Sequence, residues 1–155
     1  MQFIVLSIAL LMLFFANAPT AVAGEIKEAG ALACVNDKWD EKEIAKDHKV
    51  VDYAGRCLAI SNDPADTITS EDCTGKYEYM PDKSWKGIGK CVETRKDVGT
   101  RDLTFEEGSH LKAFTYTFTS GTGKWKGITG SGTYSNDPVT DSLTGGRYQA
   151  TITLP

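Results

Sequence analysis

The sequence predicts an all-β domain of antiparallel strands in meander order, closed into an up-and-down barrel or folded into a sandwich, preceded by a short helical or irregular N-terminal arm. Three observations carry this. From Val50 onward the chain is rich in Thr, Tyr, Phe, Val and Ile and is punctuated by Gly, Asn-Asp and Pro, the composition of strands and turns. The tetrapeptide Trp85-Lys86-Gly87-Ile88 recurs as Trp125-Lys126-Gly127-Ile128, each copy after a segment of alternating aromatics. Four cysteines lie downstream of an export-type leader, an even count that favours two disulfides in an oxidising compartment.

The leader comes first. Phe3 to Phe15 is almost wholly apolar and is followed by Ala21-Val22-Ala23, a small-x-small cleavage pattern, so residues 1–23 read as a signal peptide and Gly24 as the mature N-terminus. The apolar run is shorter than the ~20 residues that cross a bilayer, so a membrane anchor is disfavoured. A lipoprotein is also disfavoured, because the first cysteine, Cys34, is far from the cleavage site. Once the signal is removed, no membrane span is expected, and localisation is periplasmic or secreted.

Removing 23 of 155 residues leaves 132, enough for one domain with its own core. The net charge of −4 argues against nucleic acid, whose binding draws on Lys and Arg neutralising phosphates. Residues 24–49 are rich in helix formers of mixed charge and are expected to form the arm, either a short helix within 25–48 or an ordered irregular segment. Residues 50–155 are expected to form the β domain, with strands near 50–60, 66–79, 85–95, 101–107, 111–120, 123–134 and 146–154.

The repeated tetrapeptide fixes two candidate registers. A loop at Pro81-Asp82-Lys83 places Tyr79 opposite Trp85, Tyr77 opposite Gly87, Gly75 opposite Gly89 and Cys73 opposite Cys91. A two-residue turn at Gly121-Thr122 places Phe118 opposite Trp125, Tyr116 opposite Gly127 and Phe114 opposite Thr129. In both, aromatics and glycines share one face while lysines with Thr or Glu share the other, and a one-residue slip would destroy this. The first register favours a Cys73–Cys91 disulfide and, by elimination, Cys34–Cys57. The pairing of Cys57 with Cys73 across adjacent strands remains its rival.

The segment from Gly121 to Tyr134, Gly-Thr-Gly-Lys-Trp-Lys-Gly-Ile-Thr-Gly-Ser-Gly-Thr-Tyr, resembles the hallmark hairpin of a group of small exported bacterial proteins without an assigned activity. More distantly it is similar to the hairpin of the allene oxide cyclase and dirigent barrels. That resemblance implies an eight-stranded antiparallel barrel with a ligand cavity, and favours barrel over sandwich. It implies no catalytic residues, because nothing outside the glycine-rich hairpin aligns with those families.

Chemistry is sparsely signalled. Gly123-Lys124 runs into Trp125 and not into Ser or Thr at a helix start, which excludes a P-loop. The cysteines are too widely spaced for a zinc site, and His48 and His110 have no ligand partner at metal spacing, so no metal and no cofactor are expected. Glu106 and His110 are the acid–base candidates, although Glu106-Glu107-Gly108-Ser109-His110 reads more simply as an exposed turn. The aromatic set Tyr77, Tyr79, Trp85, Tyr116, Phe118 and Trp125 is the candidate lining for a small hydrophobic or aromatic ligand, with a filled core as the competing reading. Two functions follow: a non-catalytic binder or interaction scaffold, and a cofactor-free cyclase or isomerase acting inside the barrel.

Overall fold

A computed structural model of the chain describes residues 24–65 and 68–155; the expected signal peptide lies outside the described residues. Among the described residues nine strands form: β1 Gly24–Ala45, β2 His48–Ser61, β3 Ile68–Tyr79, β4 Trp85–Arg95, β5 Gly99–Gly108, β6 Phe114–Gly121, β7 Thr129–Tyr134, β8 Asp137–Pro138 and β9 Leu143–Leu154. Each pairs antiparallel with its neighbour in the order β1-β2-β3-β4-β5-β6-β7-β9, and β1 pairs again with β9, which closes the sheet into a barrel. The two-residue β8 also pairs with β9, beyond the end of β7.

The expected helical or irregular arm is instead β1. Gly24–Val35 pairs with β9 and Gly30–Ala45 with β2, so this one strand seals the barrel. Helix propensity yields here to tertiary pairing, since Ile26, Glu28, Gly30, Leu32 and Cys34 alternate onto the inner face and each strand edge needs a hydrogen-bonding partner. A bulge between Asn36 and Lys38 shifts the alternation, after which Trp39 reaches inward to the Tyr53 and Tyr77 rings.

β3 and β4 pair with Tyr79 opposite Trp85, Tyr77 opposite Gly87, Gly75 opposite Gly89 and Cys73 opposite Cys91. Disulfides join Cys73 to Cys91 and Cys34 to Cys57, both between directly opposed residues and both facing inward. The second hairpin differs from expectation: β6 pairs β7 with Phe114 opposite Tyr134 and Tyr116 opposite Gly132. Gly123 and Gly127 adopt left-handed φ of 58° and 79°, so residues 123–125 form a 3₁₀ turn where a strand was expected. That turn drives Trp125 and Ile128 into the end of the barrel, where they are 3% and 2% exposed.

Rings inside so narrow a barrel fit because they lie over glycines. A Cβ on Gly75 would sit 2.9 Å from Phe105 Cζ, and one on Gly87 would sit 3.1 Å from Tyr77 Cζ and closer still to the ring edge. Gly89 faces Phe105, Gly132 faces Tyr116 and Gly30 faces Tyr148 in the same way.

One end of the interior is plugged by Leu103, Phe118, Trp125, Ile128 and Ile152 around the buried Arg101, whose guanidinium lies 5.0 Å from the Phe118 ring centre and 4.7 Å from that of Trp125. Arg101 donates two hydrogen bonds from Nη1 to Glu28, at 2.8 and 3.0 Å, and one from Nε to Glu93. Glu71 stands directly across from Glu93, on the inner face beside the plug. With one cation among three buried carboxyls, full ionisation would leave uncompensated negative charge in a medium of low dielectric. Burial first, and Glu93 second, push the Glu71 carboxyl up to about 8, so it is a protonated acid at neutral pH.

Two outcomes are expected of this interior. G87A should destabilise the fold by about 1–3 kcal/mol in denaturant titration, because the Tyr77 ring is held by a hydrogen bond and cannot swing aside. Below an ordinary carboxyl value of 4.5, Glu71 is protonated whether folded or unfolded; between there and about 8 the folded state alone keeps the proton. Stability should therefore fall as pH rises through that window, and the fall should be shallower in E71Q than in the parent protein, measured as the urea midpoint against pH.

Candidate functional site

Above the plug lies a cavity of about 60 Å³, counted as the volume open to the centres of water-sized molecules, enough for several waters or a small part of a ligand. Glu71 and Glu93 line it at the plugged end and Glu107 at the other. Between them stand both disulfides, Leu32, Leu103, Phe105 and the rings of Tyr53, Tyr77, Tyr116, Tyr134 and Tyr148. The wall is apolar and aromatic, and its polar groups are few and concentrated, which is the usual character of a small-molecule site.

Glu107 is the most strongly organised of them. It follows Arg101, Leu103 and Phe105 on the inward face of β5, and it is 5% exposed. Tyr134 donates to its Oε1 at 2.6 Å and Tyr77 to its Oε2 at 2.9 Å, from strands on either side of the interior. Burial raises the Glu107 carboxyl above the ordinary range, and the two phenol hydrogen bonds oppose that rise. Burial and the facing carboxylate together raise both phenols, so Tyr77 and Tyr134 stay neutral donors. Tyr53, whose ring lies edge-on to Tyr77 at 5.7 Å, is pushed up to about 12, mainly by burial.

The rim at the Glu107 end is a chain of rings. Tyr79 stacks on Trp85 at 6.2 Å, Trp85 meets Phe114 at 5.7 Å, and Phe114 meets Tyr134 at 5.5 Å, with Trp39 over Tyr77 at 5.2 Å on the opposite side.

The six aromatics expected to form a lining divide into three pairs. Tyr77 and Tyr116 face the cavity. Tyr79 and Trp85 sit at the rim, two residues or more beyond the Glu107 ladder position. Phe118 and Trp125 belong to the plug on Arg101, because the 3₁₀ turn folds Trp125 under the barrel and not along its wall.

Glu106 and His110, the acid–base candidates, lie on the outer surface, 3.6 Å apart and each more than half exposed. Strand alternation is the reason: Glu106 follows the inward Phe105 and must point out, whereas its neighbour Glu107 points in. Sequence reasoning missed Glu107, Glu71, Glu93 and Arg101. A signal for Glu107 existed, since Leu103 and Phe105 share its parity on a strand already assigned to residues 101–107.

Among the described residues, Cys57, Glu71 and Cys73 form the cluster whose atoms come close enough to hold a metal ion. Both sulfurs are tied up in disulfides, so neither can serve as a thiolate ligand. No helix among the described residues is long and apolar enough to cross a membrane.

No protein-family model and no curated protein matches the sequence. The fold does have solved counterparts. One pterocarpan synthase dirigent protein superposes with a TM-score of 0.53 at 8% identity, covering 86% of each chain. Another gives 0.50 at 8% identity over 83% of this chain and 94% of its own. Pyocyanin demethylase gives 0.48 at 18% identity over 80% of this chain and 98% of its own. At these identities the dirigent matches establish a shared architecture: this chain is an all-β antiparallel barrel of the dirigent type in its fold.

Proposed function

We propose that this is an exported, cofactor-free binding protein whose barrel takes up a small aromatic or hydrophobic molecule bearing a hydroxyl group, seated with the hydroxyl on Glu107. The observation that carries this is the Tyr77–Glu107–Tyr134 arrangement at one end of a ring-lined cavity, remote from the Glu71 and Glu93 carboxyls at the plugged end. A carboxylate accepts up to about four hydrogen bonds, and Glu107 receives two from the phenols, so acceptor capacity remains for one more hydroxyl. The rings offer face and edge contacts to an aromatic guest, and the two disulfides fit the oxidising compartment that export would provide. Similarity of fold to pterocarpan synthase dirigent proteins is consistent with a barrel used to enclose a small molecule.

One observation favours catalysis as a second reading: a buried carboxyl with a raised proton affinity, facing a cavity, is suited to donate or accept a proton in a cyclisation or isomerisation. In that reading the acid–base group is Glu107, and the exposed Glu106 and His110 have no part.

Phenol and toluene, matched in size, separate the terms. Phenol should bind the parent protein more tightly than toluene in calorimetric titration, and E107Q should weaken phenol by roughly 10- to 100-fold while leaving toluene unchanged, the worth of a charge-assisted hydrogen bond. Equal affinity of E107Q and parent for phenol, or failure of both ligands to bind, would remove the binding assignment.

A further inference from the structure

The two disulfides are more than braces for the wall. All four cysteines line the cavity, and the sulfurs of Cys57 and Cys73, which belong to different bridges, lie within 4.8 Å of one another. A Glu71 carboxyl oxygen lies within 4.8 Å of both sulfurs. The closeness follows from strand pairing: Cys57 is opposite Glu71 and Gly55 is opposite Cys73, so Cys57 and Cys73 are diagonal neighbours on the inner face of β2 and β3. Two adjacent bridges with a buried acid between them form a set of parts that neither ligand binding nor cross-linking requires.

We propose that the cavity is a thiol–disulfide exchange site, in which a small thiol opens Cys34–Cys57 and the freed Cys57 passes the exchange on to Cys73–Cys91. The thiolate of the incoming molecule attacks Cys34 Sγ; a sulfur–sulfur bond forms there, the Cys34–Cys57 bond breaks, and the electron pair leaves on Cys57. Glu71 gives its proton to that departing sulfur, which makes it a better leaving group. Glu71 then takes the proton back as the Cys57 sulfur attacks Cys73. The Cys57–Cys73 bond forms, the Cys73–Cys91 bond breaks, and Cys91 leaves as a thiolate that is protonated by water. In sum, one thiolate and one proton convert two disulfides into a mixed disulfide on Cys34, a Cys57–Cys73 bridge and a Cys91 thiol. The number of sulfur–sulfur bonds stays at two, because the external thiol is captured as one cysteine is released as a thiol, so no oxidant or reductant is consumed.

Glu71 suits this role because burial keeps it protonated at neutral pH, ready to donate, while the neighbouring Glu93 is held by Arg101. The cavity limits the substrate: about 60 Å³ open to water-sized centres admits a small aliphatic thiol and excludes a tripeptide. This site shares the cavity with the proposed ligand but does not depend on Glu107 or on the identity of that ligand.

The oxidised, folded protein should be treated with 2-mercaptoethanol or with glutathione in the absence of denaturant, alkylated, and read by intact mass and peptide mapping. The expected result is a single mercaptoethanol adduct on Cys34, a Cys57–Cys73 linked peptide pair and an alkylated Cys91, with glutathione at least about tenfold slower because the cavity excludes it. E71Q should slow the reaction on the order of 10²-fold, the usual worth of a positioned acid. In the C73A/C91A double variant the adduct should remain on Cys34 with Cys57 alkylated, which tests the first step without the second bridge. Equal rates for the two thiols, reaction only at the rate of global unfolding, an unaltered rate in E71Q, or an adduct with no Cys57–Cys73 linkage would each overturn the proposal.

Discussion

The barrel depends on one steric constraint: a large ring can point inward only where the opposing strand carries no side chain. Tyr77 over Gly87, Phe105 over Gly75 and Gly89, Tyr116 over Gly132 and Tyr148 over Gly30 are instances on most of the strands in the ring. Each ring supplies the buried area that a small domain needs, and each glycine gives up its own contribution to make room. The same matching sets the register, because a slip of one residue would turn every ring into solvent and every lysine inward. Closure by β1 follows from it, since a sheet so strongly curved brings β9 back beside the first strand.

Within that shell the polar groups are sorted toward two ends. At one end Arg101 gathers Glu28 and Glu93 beneath two aromatic faces, and the plug of Trp125 and Ile128 keeps water away. At the other, Glu107 has no cation and is held by phenols alone. Both arrangements satisfy hydrogen-bonding capacity, and no buried side-chain nitrogen or oxygen among the described residues lacks a partner. They differ in consequence. A carboxylate neutralised by a guanidinium is committed to structure, whereas one that receives only neutral donors keeps spare acceptor sites and a raised proton affinity.

Much of this is legible in the sequence. The β3–β4 register could be read because Tyr, Trp, Gly and Cys alternate on both arms of a short loop, so that many positions agree at once. The β6–β7 connection could not, although it carries the same tetrapeptide, because its fate turns on left-handed backbone at Gly123 and Gly127 and on a plug site that only the closed barrel creates. β1 was hidden by its composition: Glu, Lys and Ala favour helix locally, and the alternation of Ile26, Leu32 and Cys34 is diluted by Glu28 and Gly30, which are inward for reasons of charge pairing and ring clearance. The buried acids were overlooked for a related reason. In isolation an acidic residue next to a turn reads as solvated, and only the parity of Phe105 distinguishes Glu107 from Glu106.

The placement of the cysteines brings structure and chemistry together. Bridges with sequence separations of 23 and 18 residues restrain the unfolded chain by about 3 kcal/mol each in the chain-entropy account. That gain would be much the same if the cysteines faced outward, because the bridged strands, β1 with β2 and β3 with β4, are paired by long ladders in any case. Facing inward, the four cysteines occupy wall positions where larger apolar groups would bury more area and fill the void. Cross-linking alone therefore does not account for their orientation. Their inward orientation instead puts sulfur in the cavity wall, with one acid between the bridges and a second acid at the far end.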